Sequence, residues 1–382
     1  MKIDRLRSRT VWASSERSWL FVEVHTDSGL IGRGEASQSR NDEGVEAELR
    51  ALEPQYVGAD PLDLIARRRS LLDWPYVGRT LFAAVSAIEQ ALWDLAGKAL
   101  GVPVYQLIGG AAGHRVRAYA NIGYAARSRS PSALAEAAAA AVRDGFDAIK
   151  LYPFGMRPHG MTAGEEARWI DSGIACARAA REAVGDRGDV LVDLMHQFAE
   201  LKQIRDVLRR MDDCNFFWVE DPFVSDHPAQ LAELRQAIGP RLAGGAPLIA
   251  RHEWRPLIES RALDVIMPDV KWVGGIQAAQ HLAAMAEIYG IQVSPHNASG
   301  PVATSASVHL SFNLPNFSLI EYAWGVPDWR SALCRGSEVL TAGSFPLPQA
   351  PGLGIDIDAD IAALHAERPP ATQERGIVLP RN

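Results

Sequence analysis

The chain has 382 residues, more than one simple core usually holds, so two domains, or one barrel with an addition, are expected. With 47% hydrophobic and 22% charged residues it has an ordinary globular composition and ample apolar surface to bury. A formal net charge of -7 argues against nucleic acid or an anionic membrane as the partner, because either would repel the chain on average.

The opening "MKIDRLRSRTVWASSERSWLFVEV" lacks a long apolar signal core, and no later run reaches the roughly 18 apolar residues of a membrane helix, so a cytoplasmic protein is expected. Cys176, Cys214 and Cys334 lie far apart without metal-type pairing, which suits a reducing interior. Residues 1 to about 50 alternate as strands do in "SWLFVEVHTDSGLIGRGEAS", with "TDSG" as a turn. From there to Gly110 the pattern is helical. "VSAIEQALWDLAGKALG" sets Val85, Ile88, Leu92, Leu95 and Leu100 on one stripe, stopped by Gly101 and Pro103. The basic "ARRRSLL" reads as a solvated helix face. Together this first third is an α+β unit.

The period then changes. Short apolar runs, "RAYANI", "AIKLY", "VLVDLMH", "FFWVED", "RLAGGA", "DVIMPD", "IQVSPH" and "FSLIEY", alternate with amphipathic helices such as "SPSALAEAAAAAVRDG", which has Ser130 as N-cap and Pro131 at its first position. Eight such β/α units predict an α/β fold with a parallel (β/α)8-type, TIM-like barrel. An open doubly wound sheet is disfavoured, since no G-x-G-x-x-G follows an early strand. A final segment from about 326, rich in Pro and Gly, is too irregular to continue the barrel.

In a barrel the C-terminal strand ends line the mouth, so the polar residue closing each run matters most. These are Lys150 and Tyr152, Asp193 and His196, Glu220, Asp269, His296 and Glu321, with Ala246 interrupting the series. From Asp193 onward the positions lie 23 to 27 residues apart, one β/α unit each. Alone, each has a plain alternative as a cap, surface charge or structural histidine. Together they concentrate charges of both signs in one bowl, at a desolvation cost unless something binds there.

Asp193 and Glu220 offer hard oxygen ligands of the kind Mg²⁺ takes, with Lys150 one strand before them. Opposite, Asp269 and His296 can form a pair in which the carboxylate fixes the imidazole tautomer. A carbon acid beside a carboxylate is only weakly acidic, so its ionisation needs held positive charge and a base on one face. These residues supply both, and proton abstraction α to a carboxylate is the expected chemistry.

Here the sequence resembles the enolase superfamily, in its mandelate racemase subgroup, over essentially the whole chain. The carrying motifs are "AIEQALWDLAGKALGVPVYQLIGG", "AIKLYPF", "VLVDLMH", "WVEDP", "AGGA", "IMPDVKWVGGI", "VSPHNASGPVA" and "LIEYAWG". The superfamily is itself a standard example of Mg²⁺-stabilised enediolate chemistry with a Lys or His base. The resemblance implies an α+β capping domain, residues 1–112, completed by the C-terminal segment 326–382 and seated over a modified barrel, 113–325, whose last helix is lost. It implies Asp193 and Glu220 as Mg²⁺ ligands, Lys150 beside the substrate carboxylate, Asp269 and His296 as the base dyad, and Glu321 as a hydrogen-bond partner of that carboxylate. It places Arg40 and Asn41, in the loop "ASQSRNDEGV", at the distal end of a small carboxylate substrate, and implies a homo-oligomer.

Two departures stand out. Where many relatives carry Lys-x-Lys, this chain has Lys-x-Tyr, and a phenol with a reference value near 10 is a poor base that can still deliver a proton. Two-base racemisation is thereby disfavoured and one-base β-elimination favoured. The expected reaction is dehydration of an acid sugar to a 2-keto-3-deoxy acid. In it His296 takes the α-proton, and His296, Tyr152 or His196 protonates the leaving hydroxyl; His196 equally suits a structural role. The second departure is Ala246, at the position of the third metal-binding carboxylate. Two carboxylates, waters and substrate would then hold the metal, more weakly, because His252 and Glu253 read as the start of the next helix. The alanine fits an engineered trap, a drift toward weak metal dependence, or a non-catalytic acid-sugar binder. A racemase, epimerase or cycloisomerase of a hydroxy acid is the competing enzyme reading.

Overall fold

A computed structural model describes residues 1–37, 41–63, 77–126, 128–223, 227–325, 327–336 and 339–370. The "ARRRSLL" segment lies outside them. The N-terminal strands β1 (Ile3–Ser14), β2 (Arg17–Thr26) and β3 (Ile31–Glu35) form an antiparallel sheet, turned between β2 and β3 at Gly29. The helices Asp42–Tyr56 and Arg79–Leu100 follow. The long helix presses on β3 so closely that a Cβ at Gly34 would stand 1.9 Å from the carbonyl oxygen of Ala87, which leaves room only for glycine.

Val85, Ile88, Leu92 and Leu95 are buried on that helix, as their spacing predicts, and Gly101 ends it in the left-handed conformation. Leu100 does not join them and is 61% exposed. Five residues beyond Leu95 it has rotated off the apolar stripe, which the helical period already requires.

Eight parallel strands follow: β4 (Arg115–Asn121), β5 (Ala148–Leu151), β6 (Asp189–Asp193), β7 (Trp218–Glu220), β8 (Arg241–Gly244), β9 (Val265–Ile266), β10 (Gln292–Val293) and β11 (Ile320–Tyr322). Each coincides with one of the apolar runs read from the sequence. They pair in the order β10-β9-β8-β7-β6-β5-β4-β11, and a bridge between Val293 and Phe317 joins the two ends into a ring. Tyr119, Ala148, Leu191, Trp218, Ala243, Val265 and Leu319 fill the interior. Helices of nine to 22 residues separate successive strands, capped where predicted by Ser130 and Pro131. Beyond β11 the described residues hold only the four-residue helix Arg330–Leu333 in that place.

The C-terminal segment contacts both units. Its strand β12 (Cys334–Gly336) pairs with β14 (Ile355–Ile357), and β13 (Ser344–Pro346) runs antiparallel to the start of β4. Leu353 N–H donates to Asp94 of the long helix at 2.8 Å, and Trp12 N–H to the carbonyl of His365 at 2.8 Å. Two buried carboxylates of the N-terminal unit reach the barrel. Glu35 accepts from Gly300 N–H at 2.7 Å and Ala303 N–H at 2.9 Å, and Glu89 accepts from Ile276 N–H at 2.8 Å and Gln277 N–H at 2.9 Å. Each thereby satisfies the open N-terminus of a barrel helix. Among the described residues no helix is long and apolar enough to cross a membrane, and the three cysteines are buried and form no disulfide with one another.

Candidate active site

Parallel register brings the strand-end side chains together: Asn121 stands beside Lys150, and Asp193 directly opposite Glu220. Lys150 is 1% exposed and lies at the centre. Its Nζ donates to Glu220 at 2.7 Å and lies 3.2 Å from Glu321 and 3.5 Å from Asp193. Burial opposes its charge, but Glu220 and then Glu321 overcome it and hold the ammonium well above its usual range.

The acids beside it are short of positive charge. Burial pushes Asp193 up to about 6 and Glu220 well above the usual carboxylate range, in spite of Lys150. Asp221, the residue after Glu220, joins them: ligand atoms of Asp193, Glu220 and Asp221 lie within 4.8 Å of one another. Its backbone is left-handed, with φ of 43°. Its Oδ2 lies 3.3 Å from Nε2 of His196, while its Oδ1 is buried and accepts no hydrogen bond among the described residues. Gly244 leaves the space for this oxygen, since a Cβ there would stand 2.8 Å from it. This group is an acidic triad that could bind a metal, and the orphaned Oδ1 fits a hard divalent cation.

Met195 and His196 share the left-handed conformation at φ of 52° and 56°. His196 Nδ1 lies 3.1 Å from the Phe223 carbonyl. Burial works against its proton, but Asp221 outweighs it and raises His196 to about 9, so it is cationic at neutral pH.

Across the mouth the balance is reversed. His296 Nδ1 lies 2.8 Å from Asp269 Oδ2. Because an ionised carboxylate only accepts, this contact places the proton on Nδ1 and leaves Nε2 as the free nitrogen. Nε2 lies 3.8 Å from Glu321. Glu321 also accepts from Asn121 at 2.6 Å and from Asn297 N–H at 3.0 Å. Burial would raise both acids, but Lys271 and His296 bring Asp269 down to about 2, and Lys150 with His296 does the same for Glu321. Tyr152 accepts a hydrogen bond from Asn121, and burial drives its phenol well above 10. It is therefore a neutral hydroxyl.

Ala246 is 6% exposed and packs with the barrel interior. His252 and Glu253 lie in the helix Arg251–Glu259, where Glu253 accepts from the N–H groups of Ile249 and Ala250 at 2.8 Å each. Neither folds back toward the acids. Arg40 lies outside the described residues, and Asn41 is exposed at the start of the helix Asp42–Tyr56. Sequence reasoning missed Asp221, Lys271 and Asn121. Asn121 closes "RAYAN", so the rule applied to the later strands would have found it; the other two are neighbours of chosen residues in "WVEDP" and "MPDVK".

The fold and mouth define a class: a barrel that gathers oxygen ligands on one wall and a histidine–carboxylate pair on the other. The chain belongs to the enolase superfamily, in its mandelate racemase/muconate lactonizing enzyme branch. Residues 8–109 match the Mandelate racemase / muconate lactonizing enzyme, N-terminal domain, and residues 133–361 match the Enolase C-terminal domain-like family. The chain is 31% identical to a D-xylonate dehydratase of Haloferax volcanii, over 94% of this chain and 87% of that one. It is 30% identical to a D-galactonate dehydratase of Ralstonia nicotianae, over 94% and 92%. Its fold matches a solved mandelate racemase/muconate lactonizing enzyme of Jannaschia sp. CCS1 with TM-score 0.85 at 29% identity, covering 96% of this chain and 97% of that one.

Proposed function

We propose that the protein dehydrates an acid sugar, an aldonate or aldarate, to its 2-keto-3-deoxy acid with the help of Mg²⁺. The observation that carries this reading is the His296–Asp269 pair standing across Glu321 and Lys150 from the acidic triad, with a neutral Tyr152 where a second base would be. The dehydratases among the relatives act on sugar acids of this class.

Lys150, itself held by Glu220 and Glu321, orients the substrate carboxylate. His296 accepts the α-proton at Nε2, the Cα–H electron pair moves into the bond between Cα and the carboxylate carbon to give an enediolate, and that pair then forms the Cα–Cβ double bond as the β-hydroxyl takes a proton and leaves as water. His196 suits that donation, being cationic and backed by Asp221. The enol then tautomerises to the 2-keto acid. Tyr152, held by Asn121 as a neutral hydroxyl, cannot take an α-proton from the other face, which speaks against two-base racemisation. Asp193, Glu220 and Asp221 would hold Mg²⁺, with Asp221 supplying the third carboxylate that position 246 lacks. When bound, the ion supplies positive charge for the enediolate.

Incubation of the protein and Mg²⁺ with a panel of aldonates and aldarates is expected to release a 2-keto-3-deoxy product from at least one. Uniform silence across the panel, with no α-proton exchange in D₂O, would sink the proposal.

A further inference from the structure

Lys271 is a fully buried lysine for which the proposed reaction has no direct use. It lies two residues past Asp269 and is 1% exposed. Its Nζ donates to Asp269 Oδ2 at 2.9 Å and to the Ser299 hydroxyl at 2.5 Å, and sits 4.8 Å from the Trp272 ring. Asp269 Oδ2 is also the oxygen that His296 Nδ1 approaches at 2.8 Å. One carboxylate oxygen thus serves two nitrogens, and their separation cannot exceed those two bonds laid end to end.

We propose that Lys271 is a positioning residue that takes up part of the Asp269 charge, so that Asp269 orients His296 without fastening a proton to it. This rests on the assignment of His296 as the base. A lone buried carboxylate beside an imidazole favours the imidazolium, and an imidazolium cannot accept the α-proton. A second cation on the same oxygen opposes that effect while leaving the orienting hydrogen bond in place. The pull is strong enough to keep Asp269 far below the usual carboxylate range despite full burial, with Lys271 its largest charged cause.

Other groups among the described residues also face this set, and Arg330 donates to the Ser299 carbonyl at 2.8 Å. Glu321 stands 3.8 Å from His296 Nε2, and the Trp272 ring lies 5.3 Å from the imidazole. Arg79 acts on Asp269 at longer range and stacks on Trp272 at 4.9 Å. Glu35 of β3 acts on Lys271 from the capping side. None of them shares Asp269 Oδ2.

The test follows the ring protons of His296 through a pH titration by NMR, assigning the signal by its loss in H296N. In K271Q, whose amide can keep both contacts without the charge, the midpoint should move up by about 1 pH unit or more relative to the natural protein. K271R should leave it nearly in place. If K271Q does not fold, S299A serves instead: the ammonium then leans wholly on Asp269 and the midpoint should move down. A folded K271Q with an unmoved midpoint, or an unmoved S299A where that variant stands in, overturns the proposal. On any acid sugar that turns over, the acid limb of the kcat/KM profile should shift with the midpoint while the plateau is kept; a purely structural lysine would lower the plateau and leave the limb. If the midpoint moves but no acid sugar exchanges its α-proton, the dehydratase assignment fails and the role of Lys271 stands.

Discussion

The two walls of the mouth carry the same residue type in opposite electrostatic states. On the β6–β7 wall, burial lifts Asp193 to about 6 and Glu220 well above its usual range, because the acids stand beside one another and Lys150 does not offset both burial and their mutual repulsion. On the β9–β11 wall, equally buried Asp269 and Glu321 are brought down to about 2, Asp269 by Lys271 and His296, and Glu321 by Lys150, His296 and its donors Asn297 and Asn121. Burial alone therefore does not decide the state of a carboxylate; the balance of cations and hydrogen-bond donors against neighbouring acids does. The first wall holds an acidic triad that could bind a metal, and the second holds a histidine–carboxylate pair.

The largest break in this contrast is H296N, which removes the proposed base. Turnover and α-proton exchange should fall by about a thousandfold, within the range for general-base loss, while Mg²⁺ affinity measured by calorimetry stays near that of the natural protein. Next, D221N should weaken Mg²⁺ binding by about tenfold or more, since carboxylate charge sets affinity at such sites. Lys271→Gln acts on the other wall and should leave that affinity alone. A246E, which restores the third family carboxylate, should strengthen binding by less than D221N weakens it. Equal binding by D221N and the natural chain would remove Asp221 from the metal site.

A thermal series sharpens the comparison further. Asp193 has a raised folded value, so its contribution is present below about 4 and is lost as pH rises through about 6. Asp269 has a depressed value, so its contribution is present above about 4 and is lost as pH falls through about 2. Saturating Mg²⁺ should therefore raise Tm more at pH 7 than at pH 5, by roughly 2 °C or more. A rise independent of pH would contradict the cation-receiving role of the first wall. The smallest effect belongs to Y152F, which should cost less than about tenfold in turnover if the phenol only helps to orient its neighbours through Asn121.

Much of this was legible in the sequence because periodicity and position carry it. All eight apolar runs became barrel strands, and the cap signals at Ser130, Pro131 and Gly101 held. Register brought Lys150, Asp193, Glu220, Asp269, His296 and Glu321 into one mouth, as reading the strand ends anticipates. What escaped depends on backbone direction. Asp221 follows Glu220 immediately and in a regular strand would point the other way; a left-handed φ brings it into the acidic group. Lys271 was hidden for a similar reason. It lies beyond β9, where strand alternation no longer says which way a side chain turns.

The carboxylates of Glu35 and Glu89 carry a consequence for how such a protein diversifies. They tie the N-terminal unit to the helices Ile276–Ile288 and Pro301–Asn313, which follow the two segments bearing Asp269 and His296. The chain leaves β3 at Glu35 and enters the loop "ASQSRNDEGV" at the next residue. Ser37, two residues on, donates to Glu35 at 2.7 Å, so this segment starts from a fixed anchor. A transplanted capping unit without acids at those two positions would leave two buried helix N-termini unanswered. Exchange of whole units is thus restricted to donors that keep this pair.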